Sequence, residues 1–211
     1  MLRLHDYWRS SAAYRVRIAL NLKGVAYEAI HVDLLGGAQG QAANRSVNAQ
    51  GLVPSLVLDD GTALTQSLAI LQWLDEAHPE PPLWPRDSIA RAKASARALV
   101  VVADVHPLNN LRVLGRLEGQ FGADADARRA WYRHWVELGL AALEEMADGP
   151  EPFLGGDAPD VSDVCLVPQM FNARRFDVDL TPYSKLVAAD AAANELPAFR
   201  AAHPDAVRPP A

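Results

Sequence analysis

The sequence predicts an α/β region followed by an all-α region. Three observations carry that reading. Repeated prolines in Pro79-Glu80-Pro81-Pro82-Leu83-Trp84-Pro85 forbid helix continuation and favour an extended connector. Upstream, short β-like runs alternate with helical patterns. Downstream, Ala, Leu and Arg recur at helical spacing with little strand character. The division is residues 1–80, a Pro-rich linker at 81–86, and a helical region at 87–211.

Leu2 to Tyr7 reads as an opening strand and Ala12 to Lys23 as a helix. Gly24 stops that helix, because a left-handed terminator costs glycine nothing. Val25 to Val32 is a second strand, parallel to the first because a whole helix separates them. A polar, poorly patterned stretch from Gly36 to Val47 follows. Ser55 to Leu58 and Thr62 to Thr65 then flank Asp59-Asp60-Gly61, the chemistry of a tight antiparallel turn. Ser67 offers a hydroxyl to a helix carrying Leu68, Leu71 and Leu74 and ended by His78-Pro79. The order β-α-β, link, β-β-α is that of a thioredoxin-like domain, an order that other small α+β arrangements share.

Helical runs in the second region cover about Asp87 to Leu117, Ala125 to Ala147, Asp160 to Phe176 and Ser184 to Asn194, the pattern of a bundle. Asp160-Val161-Ser162-Asp163 places one acid at a helix cap and another three residues on, so first-turn amides find acceptors. His106-Pro107 is expected to kink the first of these helices. The tail from Ala201 to Ala211, with Pro204, Pro209 and Pro210, is expected to be loose.

A net charge of −6 argues against a nucleic-acid partner, which needs a basic surface. The single cysteine, Cys165, excludes an intrachain disulfide framework and fits a reducing compartment, so the expected location is cytoplasmic. No apolar run is long enough to suggest a membrane span. The six histidines lack metal-ligand spacing, and no metal is expected.

Ser10 and Ser11 stand where the first strand meets the first helix, where unpaired amides and the helix dipole favour an anion. A simple helix cap explains them equally well. Arg9 would place a guanidinium beside that site, suited to a carboxylate. Pro54 precedes a strand; it is either an edge feature or a cis proline that offers the backbone of Val53 to an extended peptide. Gln66 and Ser67 are either a cap or a second anion seat. Around His106 the cluster Asp104, Asn109, Asn110 and Arg112 is polar where a bundle helix should continue, which favours a cleft-lining role. Arg174-Arg175 is either surface decoration or a basic binding pair. Cys165, in an apolar run, reads as a buried inert thiol.

The run from Arg9 to Leu20, followed by Leu22-Lys23-Gly24, resembles the opening of the zeta-class glutathione transferases, the family of maleylacetoacetate and maleylpyruvate isomerases. Gly51-Leu52-Val53-Pro54, Gln66-Ser67-Leu68-Ala69-Ile70, the block from Asp104 to Arg112, and Leu166 to Gln169 through Asn172, Arg175 and Phe176 to Tyr183 extend the resemblance over almost the whole chain. It implies the glutathione transferase fold, a homodimer and glutathione as cofactor. By position, Ser10 or Ser11 would hold the thiolate, with Ala12 adjoining. Val53 and Pro54 would meet the peptide backbone, Gln66 and Ser67 the γ-glutamyl end, and Gln39 would be a further contact. Arg9 and Arg175, with His106, Asn109 and Asn110, would receive the substrate's carboxylates. The family often has Ser-Ser-Cys where this chain has Ala12, so hydroxyl, amides and helix dipole must suffice here.

The implied activity is cis–trans isomerisation of a maleyl-keto acid, maleylacetoacetate first and maleylpyruvate as its rival. A glutathione-conjugating transferase and a non-catalytic glutathione-binding module are the alternatives. A thiol–disulfide oxidoreductase is disfavoured, since Arg9 to Ala12 contains no cysteine.

Overall fold

A computed structural model describes residues 1–148 and 152–209. The chain divides into two compact units, Met1–Leu83 with Asn194–Ala211, and Trp84–Ala193.

In the first unit β1 (Leu2–Asp6) leads to α1 (Ser11–Leu22) and β2 (Tyr27–His31). The two strands pair in parallel, as the intervening helix requires. The Gly36–Val47 stretch contains a 3-10 turn at Ala38–Gly40 and the short helix α2 (Ala42–Arg45). β3 (Ser55–Val57) and β4 (Ala63–Thr65) form the expected hairpin. Its turn is closed by Thr62 N–H donating to Asp60 Oδ1 at 2.8 Å, with Gly61 at φ 90°. β1 also pairs antiparallel with β3, giving the sheet order β2-β1-β3-β4, the arrangement expected of a thioredoxin-like domain. α3 (Ser67–Ala77) follows.

α1 is the centre of this unit. Ser11 through Leu20 are all buried, Arg15 and Arg17 included, because the helix packs against α3 on one flank and against α9 (Pro197–Ala202) on another. Gly24, at φ 64°, ends it in the conformation that glycine tolerates. Lys23 Nζ reaches Asp75 Oδ1 at 2.7 Å and the Pro81 carbonyl at 2.6 Å, fastening the helix end to α3 and to the proline-rich stretch.

The end of the chain departs from expectation. Residues from Asn194 onward group with the first unit, not with the helical region. Nor is the stretch from Ala201 loose: α10 (Pro204–Val207) follows α9, and Phe199 and Ala202 are fully buried. Arg17 Nε donates to the Ala202 carbonyl at 3.0 Å, and Asn21 Nδ2 donates to that of Ala198 at 3.0 Å. Local prolines suggested a breaker; long-range packing on α1 overrides them. Pro210 and Ala211 lie outside the described residues.

In the second unit α4 (Ser88–Leu99) continues into a π-helical turn at Val100–Val105, and α5 (Leu111–Phe121) begins only after a break. The single kinked helix expected over 87–117 is therefore two, because Pro107 cannot donate and crowds the preceding turn. Gly139 of α6 (Ala125–Met146) lets that π turn pack closely, since a Cβ there would overlap Val105 Cγ2. α7 (Val161–Arg175) lies deepest, with Val164, Cys165, Leu166 and Met170 fully buried, and α8 (Ser184–Asn194) completes the set.

α7 starts with the capping box that its sequence suggests. Asp163 accepts the amides of Leu154 and Asp160, both at 3.0 Å. Burial, reinforced by the neighbouring Asp160 carboxylate, pushes its pKa up to about 7. A folded value above the ordinary ~3.9 means that its contribution to stability is full below about pH 4 and is lost as pH rises through about 7. Asp163→Asn is expected to flatten that part of the stability–pH curve, read from urea midpoints; an unchanged slope would contradict the assignment.

Candidate active site

Ser10 ends the loop Tyr7–Arg9 that joins β1 to α1. It has extended backbone angles (φ −70°, ψ 118°), and its Oγ accepts the Ala13 amide at 3.3 Å, so it is the N-cap. Ser11 is the first helical residue and buried; Ala12 follows it. Capping and anion binding are thus compatible: Ser10 Oγ uses an acceptor position while its proton stays available to donate. The nearby helix end adds positive potential. Arg9 rests over the Trp8 ring with Cζ 5.2 Å from the centroid and has no carboxylate partner among the described residues.

The Val53–Pro54 peptide is cis, as one of the two sequence readings required. Neither the N–H nor the C=O of Val53 enters a hydrogen bond among the described residues, so one donor and one acceptor stand ready at the start of β3. The loop before it is held by Asn48 Nδ2, which donates to the Leu52 carbonyl at 3.0 Å. Gly51, at φ 63°, passes close to Gln39; a Cβ there would lie 3.0 Å from the Gln39 carbonyl. Gln39 Oε1 is buried without a donor among the described residues.

At α3 the order of roles differs from the sequence reading. Gln66, at φ 66°, is the N-cap residue and makes no side-chain cap bond. Ser67 is the first helical residue, and its Oγ accepts from Arg15 Nη1 at 2.9 Å instead of capping the turn. A positive φ at a non-glycine residue is costly and concentrates at functional positions. Gln66 Nε2 donates to Gln50 Oε1 at 2.7 Å, which orients the exposed amide. The Arg15–Ser67 bond joins the second turn of α1 to the first residue of α3, tying the two N-terminal halves together. An extended peptide bearing carboxylates fits these groups: a free backbone pair at Val53, an orphaned amide oxygen at Gln39 and a helix start left uncapped by side chains.

The second unit assembles its own candidates. Asn109 Nδ2 reaches the Tyr132 carbonyl at 3.4 Å, and its Oδ1 is buried without a donor among the described residues. The Tyr132 ring stacks on Phe176 at 3.6 Å, and Arg175 Cζ lies 4.8 Å from the Phe176 centroid. Asn109 and Arg175 thereby belong to one packed assembly. Asn110 has a structural task as N-cap of α5, accepting the Arg112 amide at 3.1 Å. His106 follows the π turn and donates its amide to the Val101 carbonyl at 2.9 Å. Of the basic pair, Arg174 is engaged with buried Asp190 at 2.6 Å, whereas Arg175 is turned onto the aromatic stack. Cys165 is fully buried, as expected of a packing thiol. No cluster of metal-ligating side chains occurs among the described residues.

Arg15, Arg17, Gln50, Tyr132 and Phe176 were not among the site candidates read from the sequence. The signal for Arg15 and Arg17 was present: two arginines inside an otherwise apolar helix must find buried acceptors.

Residues 4–82 match the family model for the glutathione S-transferase N-terminal domain. A maleylacetoacetate isomerase of Rhizobium meliloti (strain 1021) is 47% identical over 208 residues, 98% of this chain and 97% of that protein. A solved holo structure of a maleylpyruvate isomerase, described as a bacterial zeta-class glutathione S-transferase, has TM-score 0.94 at 43% identity, covering 99% of this chain and 100% of that one. A maleylacetoacetate isomerase from Anaeromyxobacter dehalogenans 2CP-1, with dicarboxyethyl glutathione and citrate bound in its active site, has TM-score 0.89 at 47% identity, covering 100% and 98%. With this similarity along its full length, the chain belongs to the zeta class of the glutathione transferases, the family of maleylacetoacetate and maleylpyruvate isomerases.

Proposed function

We propose that this protein is a glutathione-dependent isomerase that converts a maleyl-keto acid to its trans isomer, with maleylacetoacetate as substrate. The observation that carries the reading is the dicarboxyethyl glutathione in the active site of the 47%-identical relative. A dicarboxyethyl group on sulfur is what remains when a thiol adds across a four-carbon unsaturated diacid. Bound glutathione supplies a soft thiolate whose reversible addition turns the substrate's double bond into a rotatable single bond.

The chain's own part is positioning and electrostatics. Ser10 and Ser11 donate toward sulfur, and the α1 amides, with Ala12 among them, add the field that favours an anion. Val53 pairs with the ligand's backbone beside Pro54, Gln39 accepts from it, and Gln66 and Ser67 hold its γ-glutamyl end. Arg9 and Arg175 receive substrate carboxylates and stabilise the enolate formed on addition, with Asn109, Asn110 and His106 nearby in role. Maleylpyruvate is the second reading, because isomerases of that name are also similar along almost the whole chain. We also place the protein in the cytoplasm as a homodimer. Its one cysteine is a buried free thiol, and reduced glutathione is required. No helix among the described residues is long and apolar enough to cross a membrane.

The test supplies each maleyl substrate with glutathione far below the substrate concentration. Product exceeding the glutathione present, with free thiol undiminished at the end, is expected. Stoichiometric loss of thiol would instead identify a conjugating transferase, and no turnover of either substrate would leave a binding module.

A further inference from the structure

Trp8, in the loop joining β1 to α1, carries two guanidinium groups. Arg9 Cζ lies 5.2 Å from its ring centroid and Arg208 Cζ lies 5.0 Å from it, so the two cations are no more than about 10 Å apart. Neither has a carboxylate partner among the described residues. That is unexpected in a chain with 26 acidic and 20 basic residues. Asp6, in the strand before the loop, is taken by Arg17 at 2.7 Å.

The position of Arg208 is built rather than incidental. The buried Arg17 guanidinium donates to the Trp8 carbonyl at 2.9 Å and to the Ala202 carbonyl at 3.0 Å, so one side chain ties the loop and the terminal segment together. Pro204 is buried, and His203 meets the Tyr14 ring edge-on at 6.1 Å between centroids. Arg208 follows four residues after that anchor. Two guanidinium groups on one ring, without a carboxylate partner among the described residues, make a positive locus that favours an anion, and planar guanidinium suits a carboxylate.

We propose that Arg208 is a substrate-binding residue that works with Arg9 to receive a carboxylate of the diacid, which makes the terminal segment a determinant of specificity. The inference rests on the isomerase reading for the identity of the diacid, but its test does not need turnover. Succinate, a dicarboxylate with no double bond to react, is titrated by calorimetry into the full-length protein saturated with glutathione, as wild type and as Arg208→Gln. Succinate affinity is expected to fall about tenfold in Arg208→Gln, with Arg208→Lys recovering part of it and glutathione affinity unchanged in both. In parallel, KM for the maleyl-keto acid is expected to rise about tenfold with kcat held within about twofold. Equal succinate affinity in wild type and Arg208→Gln would overturn the proposal. So would absence of succinate binding by the wild type, or a parallel loss of glutathione affinity. Arg208-dependent succinate binding in a protein that never isomerises would uphold this inference while sinking the functional reading.

Discussion

Arg17→Met is expected to destabilise the protein by about 3–5 kcal/mol, the cost typical of breaking a buried ion pair from one side. Arg17 is 1% exposed and satisfies three acceptors at once: Asp6 Oδ1 at 2.7 Å, the Trp8 carbonyl at 2.9 Å and the Ala202 carbonyl at 3.0 Å. Methionine fills similar volume but donates nothing, so Asp6 would be left buried without its partner and two carbonyls without donors. Burial already pushes the Asp6 pKa up against the opposing pull of Arg17, and losing the guanidinium raises it further. The variant therefore loses most stability at neutral pH and less where Asp6 is protonated. Urea midpoints of wild type, Arg17→Met and Asp6→Asn/Arg17→Met measure this, with the double variant recovering part of the loss. A wild-type midpoint in Arg17→Met would show that the triple contact does not organise the loop and the terminal segment.

The second large effect is on catalysis. Ser10→Ala/Ser11→Ala is expected to lower kcat/KM about 10²–10³-fold, the range seen when a donor to a developing or bound anion is removed. No thiol stands nearby to compensate, because position 12 is alanine and Cys165 is buried in α7. Ser10→Ala by itself carries a second cost of about 1 kcal/mol in stability, since its Oγ caps α1 through the Ala13 amide. Separating the two effects is direct: a cap defect moves the urea midpoint of the ligand-free protein, whereas loss of thiolate stabilisation lowers kcat/KM and weakens glutathione binding only where the thiolate is populated. A double variant that keeps wild-type kcat/KM would remove both hydroxyls from the mechanism.

Much of this was legible in the residue order, for reasons that can be named. The helix between β1 and β2 forces their parallel pairing, Asp60-Gly61 makes the hairpin, and Asp160 with Asp163 writes a capping box, all from local chemistry. The serine pair at the strand–helix junction belongs to the same class, whereas residue order left Pro54 open between an edge feature and the cis bond that the structure has. What stayed hidden depends on partners distant in sequence. Ser67 looked like a cap, and only Arg15, 52 positions earlier, diverts its hydroxyl. Pro204 and its neighbours looked like a loose end, until Arg17 binds the Ala202 carbonyl across 185 positions. Gln66 took the cap position with φ 66°, a strained choice that no propensity favours. Asn110 and Asn109 looked alike beside His106, yet one caps α5 and the other presents a buried, undonated oxygen next to the Tyr132–Phe176 stack. Arg174 and Arg175 were likewise indistinguishable until Asp190 claimed the first.

The central claim is that hydroxyls and helix amides suffice to ionise glutathione without a protein thiol. The most direct measurement is the ultraviolet absorbance of the thiolate in the glutathione complex, followed against pH for wild type and Ser10→Ala/Ser11→Ala. In the wild type the midpoint is predicted to fall at least about one unit below the ordinary thiol value of ~8.5, and to return toward that value in the double variant. A wild-type complex that titrates at the ordinary thiol value would contradict it.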